Sequence, residues 1–256
     1  MPSEPRGLPV SIRGLSFAYP GRTLALNALD WAVPAGARAG LLGPSGAGKS
    51  TLLLHLNGLL KPQAGTVHIG PNLVAEKTLP EIRRDVGLVF QNPDDQLFHL
   101  SIDEDIAFGP RNLGWPEERV RDAVRATAAA LRIEKLLNKH PQQLSSGEKK
   151  RAALATVLAM QPRVVALDEP FANLDPELIE QLIAIISGLE ATVILISQSI
   201  LPALACCDTL AVLHGGKIAA EGPAFEIARD RALLRRCALD FHYYREIWRR
   251  LDAGGS

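Results

Sequence analysis

The sequence has few cysteines, no excess of either charge and no long apolar run, and each shortage removes a class of function. Cys206, Cys207 and Cys237 are an odd number without zinc-type spacing. They are expected to be reduced thiols in a cytosolic compartment, with Cys206 and Cys207 packed as small apolar residues in a helix. The 28 Lys and Arg balance the 28 Asp and Glu, so no global field draws the chain to nucleic acid. The most apolar stretch, Leu182 to Ile196, is broken by Gly188 and Glu190 and is shorter than the ~20 residues that span a bilayer. Met1 to Pro9 carries Pro, Glu and Arg without an apolar centre, unlike a signal peptide. The chain is thus expected to be soluble, with any membrane role exerted through a partner. His55, His68, His99, His140, His214 and His242 share no ligand spacing and are expected to be structural or surface residues. Internal repeats and low-complexity linkers are also missing.

What remains is 256 residues with 47% apolar and 22% charged content, enough for one large folded domain or a domain with an inserted lobe. Short apolar runs alternate with helical patterns, which predicts an α/β fold with a largely parallel sheet. Val10 to Tyr19 and Leu26 to Val33 read as antiparallel strands. Ala37 to Leu42, Val164 to Leu167 and Val193 to Ile196 read as buried strands. A helix is expected over Lys49 to Gly58. From about Asp94 to Met160 the character changes: Glu117 to Leu131 places Val120, Val124, Ala128 and Leu131 on one helical face, and Gly147 to Met160 is a second amphipathic helix. The expected division is a core of residues 1–93 and 161–222, a helical insertion at 94–160 and a helical tail at 223–256. Gly215-Gly216 marks a turn between Leu210–Leu213 and Lys217–Ala220. The tail carries Arg229, Arg231, Arg235, Arg236, Arg245, Arg249 and Arg250, most simply a solvated face, alternatively a membrane or partner contact.

Between a predicted strand and a predicted helix stands Gly43-Pro44-Ser45-Gly46-Ala47-Gly48-Lys49-Ser50, followed by Thr51. This is the phosphate-loop pattern in the context that it requires. Its glycines let successive N–H groups point inward at a β-phosphate, and the helix start adds positive potential. Lys49 is expected to neutralise the β- and γ-phosphates and Ser50 to hold Mg²⁺. At the end of the strand Val164 to Leu167, Asp168 is the expected second Mg²⁺ contact. Glu169 follows, placed to act as general base on a water in line with the γ-phosphate.

Leu144-Ser-Ser-Gly-Glu-Lys-Lys-Arg151, just upstream of Asp168-Glu169, resembles the signature motif of ATP-binding-cassette (ABC) ATPases. Ser145 with Glu148 is a capping box opening a helix, and such a start with Gly147 giving backbone access is an anion site. The resemblance runs from about Val10 to Gly222. It implies an α/β P-loop NTPase (RecA-like) core with an antiparallel β subdomain and an inserted α-helical subdomain. It implies further that Ser145, Ser146 and Gly147 face the γ-phosphate of ATP held by a second subunit, so that a homodimer sandwiches two nucleotides. Tyr19 resembles the residue that stacks on adenine. Gln91 resembles the glutamine that contacts Mg²⁺ and the attacking water and responds to the membrane partner. Ala172 to Asp175 resembles the loop that touches the opposite site. Two departures bear on catalysis. Glu148 brings a negative charge close to the signature, and Gln198 stands where a switch histidine is usual, so turnover is expected to be slower than with histidine.

The run Val89 to Phe98, then Asp103 to Pro110, with His55 to Pro62, resembles the ATPases of energy-coupling-factor (ECF) importers. That resemblance implies an integral membrane T component and a substrate-binding membrane subunit as partners, and a place on the cytoplasmic face of the membrane. Pro93, Asp94, Asp95 and Leu97 are then expected at the T-component interface. Chain length and a short tail favour the cobalt- or nickel-importing branch. A vitamin importer is an alternative, as is a nucleotide-gated scaffold. A DNA-repair or translation ABC protein would need long inserts or tandem cassettes, and a P-loop kinase would leave Leu144 to Arg151 unexplained.

Overall fold

The computed structural model describes residues 7–239. Chain order gives two sheets. The first is antiparallel and contains β1 (Val10–Ala18), β2 (Leu24–Val33), β4 (Ala64–Ile69) and β5 (Asn72–Leu73), in the order β2-β1-β4-β5. The second contains β3 (Arg38–Leu42), β6 (Val86–Val89), β7 (Val164–Asp168), β8 (Thr192–Ser197), β9 (Thr209–His214) and β10 (Lys217–Pro223), in the order β10-β9-β3-β8-β7-β6. Its strands pair in parallel from β6 to β9, and β10 closes the edge as an antiparallel hairpin. β6, β7 and β8 are buried at every position, as strands covered on both faces must be. Their apolar runs therefore lack alternation.

The helices are α1 (Lys49–Leu56), α2 (Leu79–Asp85), α3 (Ile102–Asn112), α4 (Glu117–Ala130), α5 (Ser146–Leu158), α6 (Pro176–Ser187), α7 (Ile200–Cys206), α8 (Ala224–Arg229) and α9 (Arg231–Arg236). One apolar core fills the space between the two sheets around α1, using Ile12, Leu26, Leu52, Leu56, Ile69 and Ile194. The other joins the far face of the parallel sheet to the helical block through Ile106, Val120, Ala152, Leu154 and Leu182. Val120, Val124 and Ala128 are buried on one side of α4, as their spacing requires. The Arg151 guanidinium donates to the Leu131 carbonyl, 3.4 Å away, binding α5 to the end of α4.

Several bounds differ from the expectation. α1 stops at Leu56 because Asn57 already leaves helical geometry. α5 begins at Ser146 and ends at Leu158. Cys206 closes α7, but Cys207 lies beyond it in extended backbone; both are buried. β4, β5 and β6 were not anticipated. The tail begins as two short helices; His242, Arg245, Arg249 and Arg250 lie outside the described residues, as do Met1 to Arg6. Among the described residues no helix is long and apolar enough to cross a membrane.

Candidate functional site

β3 delivers the chain into the loop 43–48, and α1 carries it away. At Gly48 φ is 103°, and a Cβ there would strike the Ala25 carbonyl oxygen. Only glycine meets both conditions. α1 has no side-chain cap and no acid in its first turn, so its first N–H groups are left without helix partners. Lys49, Ser50 and Thr51 line a pocket of about 370 Å³ together with Tyr19, Arg22, Thr23, Leu24, Ala25, Ser45, Gly46, Gln91, Asp168, Glu169 and Gln198. The fold thus gathers phosphate-loop residues, both strand-end acids, Gln91 and Gln198 around one space.

Lys49 is buried, and its ammonium donates to the carbonyls of Gly43 at 2.8 Å and Pro44 at 3.1 Å. Burial pulls its pKa below the ordinary lysine value, opposed by the charges of Glu169 and Asp168. Asp168 and Glu169 are also buried. Burial pushes both carboxyls upward. The Ser50 hydroxyl and Lys49 oppose the shift at Asp168. At Glu169 the opposition comes from the Gln198 N–H and Lys49, while Asp168 adds to the rise.

Glu169 is held from several directions. Its φ is 48°, a strained conformation for a non-glycine residue. Its N–H donates to the Ile196 carbonyl at 3.0 Å, and its carbonyl accepts from the Ala172 N–H at 3.2 Å. The Gln198 N–H donates to Oε2 at 3.2 Å. Glu169 Oε1 and Asp168 Oδ1 are buried and have no hydrogen-bond partner. Two unpartnered carboxylate oxygens beside a hydroxyl and an amide form an all-oxygen set that suits a hard divalent cation and a water. The residues present therefore fit Mg²⁺.

Tyr19 forms one wall. Its hydroxyl lies 3.3 Å from Thr51 Oγ1, and its ring meets Phe17 edge-on at 5.0 Å. Gly43, Pro44 and Ala47 shape the loop without lining the pocket. Arg22 to Ala25 belong to the wall and were missed. Their signal is the turn after Tyr19, where the Arg22 N–H donates back to the Tyr19 carbonyl at 3.0 Å.

The signature residues lie elsewhere. Ser145 caps α5: its hydroxyl accepts from the Glu148 N–H at 3.3 Å, and Glu148 Oε2 accepts from the Ser145 N–H at 2.8 Å. That N–H bond holds the Glu148 carboxyl below the usual range. Ser145 and Ser146 are exposed. Gly147 is buried, and a Cβ there would collide with Leu178 of α6. Its lack of a side chain serves helix packing. Asp175 caps α6 by accepting from the Leu178 N–H at 2.9 Å. None of these four lines the pocket of their own chain.

Lys149 and Lys150, one turn into α5, reach in two directions. Lys149 donates to Asp94 Oδ1 at 2.6 Å. Lys150 donates to the carbonyls of Glu169 at 3.1 Å, Pro170 at 3.4 Å and Ala172 at 2.6 Å. A separate groove of about 870 Å³ runs past Leu59, Phe90, Asp95, Phe98, Phe108 and Met160. Phe98 is 63% exposed on its rim, whereas Leu97 is buried in the core. The expected interface leucine is therefore a core residue, and its neighbour presents the apolar surface.

Residues 26–172 match the family described as ABC transporter. The chain is 43% identical over 251 residues to the energy-coupling factor transporter ATP-binding protein EcfA of Methanothermobacter thermautotrophicus, covering 96% of this chain and 81% of that protein. It is 43% identical over 235 residues to the cobalt import ATP-binding protein CbiO of Rhodobacter capsulatus, covering 90% and 84%. Among solved structures, cbiO1 of Clostridium perfringens, part of the ABC transporter complex cbiONQ, superposes with a TM-score of 0.79 at 31% identity. That match covers 94% of this chain and 98% of the other. The phosphate-loop pocket, the strand-end acids and these likenesses converge on one assignment: the chain belongs to the ABC transporter family, as an ATPase of the energy-coupling-factor type.

Proposed function

We propose that the chain powers an ECF-type importer by closing and reopening an ATP-sandwiched homodimer on the cytoplasmic face of the membrane. The observation that carries this reading is the unpartnered Oε1 of Glu169, buried in the same pocket as Lys49, Ser50 and Thr51. Loop 43–51 binds the phosphates through N–H groups and Lys49. Tyr19 stacks on the adenine. Ser50, Asp168 and Gln91 hold Mg²⁺, which when bound neutralises phosphate charge. Glu169 accepts the proton of the attacking water, and Gln198 donates an amide hydrogen bond to a phosphate oxygen. Ser145, Ser146 and Gly147, with Asp175, act on the nucleotide of the second subunit. Their position outside their own pocket agrees with this division.

The groove edged by Phe98 and Phe108 receives the membrane T component, and a membrane subunit selects the solute. Cobalt is the proposed cargo, by likeness to the Rhodobacter capsulatus protein, with nickel as the alternative. Two measurements test the reading. Glu169→Gln is expected to lower ATP turnover by about 10²–10⁴-fold while ATP-driven dimerisation persists in sedimentation. Turnover unaffected by the substitution sinks the catalytic assignment. Co-purification from membranes should bring integral subunits and cobalt or nickel uptake. Vitamin-binding subunits would redirect the cargo, and soluble partners alone would overturn the importer reading.

A further inference from the structure

We infer that Lys150 is a positioning residue that joins the partner-facing start of α5 to the general base of its own pocket. The inference rests on the sandwich reading above. Three carbonyls, from Glu169, Pro170 and Ala172, converge on one ammonium. They belong to the loop that holds Glu169 at φ 48° and Asn173 at φ 59°. Strained backbone persists only where the surroundings over-determine it.

Packing alone does not supply that constraint. A small apolar cavity lies against this loop, bounded by Phe90, Gln91, Lys150, Pro170, Leu182 and Ile186. Lys150 lines that gap, and its ammonium adds directed bonds to the loop. Lysine suits the task because its three N–H donors can each meet one carbonyl. Lys150 is part-buried, and its bonds to this loop are correspondingly shielded from water.

The other end of the connection is Ser145, less than two helical turns away along α5. α5 is a single rigid element, so a shift of its start when a second subunit's nucleotide docks is carried to Lys150. From there it reaches the backbone of Glu169. One nucleotide's docking thereby sets the alignment of the base that activates water against the other. Lys149, on the next position, carries the same movement to Asp94 beside the groove.

The test uses the full chain with Lys150→Met, Lys150→Gln and Lys150→Arg. Steady-state ATPase assays with Lys150→Met should show kcat down about tenfold or more, KM within twofold and a Hill coefficient falling towards one. Lys150→Arg, which keeps several donors, should recover most of kcat. Amide exchange of the nucleotide-free chain gives a second readout, independent of turnover. Residues 169–175 should exchange faster in Lys150→Met, with loop 43–51 unchanged. If Lys150→Met fails to fold, Lys150→Gln carries the same comparison. Unchanged exchange at 169–175 overturns the inference. An unchanged kcat, or a Hill coefficient equal to that of the unsubstituted protein, does so as well. A wild-type chain without turnover would instead sink the functional reading, while the exchange data would still decide what Lys150 holds.

Discussion

α1 and α5 both begin with a small-residue turn and an array of backbone N–H groups, yet they are finished in opposite ways. α1 opens at Gly48 with no side-chain cap and no acid. α5 opens with Ser145 and Glu148 bonded reciprocally. The first start is incomplete without a ligand, because its residues line a half-open pocket and no cap meets its N–H groups. The second already has its Ser145 and Glu148 N–H groups paired by side chains, with Ser145 and Ser146 exposed. An anion at α1 fills a vacancy, whereas an anion at α5 must share the site with a cap and a carboxylate. On the proposed function, one helix start serves tight capture and the other reversible docking.

Gly48→Ala should break this contrast most severely. Positive φ and the collision with the Ala25 carbonyl predict a nucleotide Kd about 100-fold higher, read by fluorescent-nucleotide titration. An unchanged Kd would show that α1 does not depend on its uncapped geometry. Ser145→Ala comes next. Loss of the cap should lower stability by about 1 kcal/mol in denaturant unfolding and weaken ATP-driven dimerisation, with nucleotide affinity of the single chain preserved. Equal loss of single-chain affinity would mean that both helix starts serve one pocket.

Glu148→Gln sharpens the comparison with the smallest effect. Glutamine can still accept the Ser145 N–H, so the cap survives while the negative charge goes. Dimerisation should strengthen, and Tm should fall by about 1 °C. The Glu148 pKa is depressed in the folded chain. Its contribution is therefore fully present above the ordinary glutamate value, about 4.3, and is lost as pH falls through the lower folded value. Melting curves of the two proteins should converge in acid; a gap that persists there would assign the effect to packing.

Much of this was legible in residue order because it depends on local geometry. Gly43 to Thr51, Asp168-Glu169 and the Ser145–Glu148 box are contiguous or nearly so, and each works through backbone within a few residues. The parallel strands β7 and β8 announce themselves by unbroken aliphatic runs. β4 does not: Ala64-Gly-Thr-Val-His-Ile69 is half polar and becomes a strand through its pairing with β1 and β5. Leu97 and Phe98 are adjacent and both apolar, and only the packing of α3 and α5 decides which one faces outward. Nothing around Lys150 in the sequence marks its partners, because folding brings carbonyls from about twenty residues further along the chain to its ammonium. Arg22 to Ala25 enter the pocket wall by the path of a turn, with no motif to mark them.

The bonds from Lys49 to the carbonyls of Gly43 and Pro44 bear on how the motor resets. The ammonium is satisfied by the loop that it belongs to. Arrival of a phosphate exchanges those contacts for new ones, and departure of the product restores them. Letting go of spent nucleotide is helped by a competitor that is tethered a few ångströms away and never diffuses off.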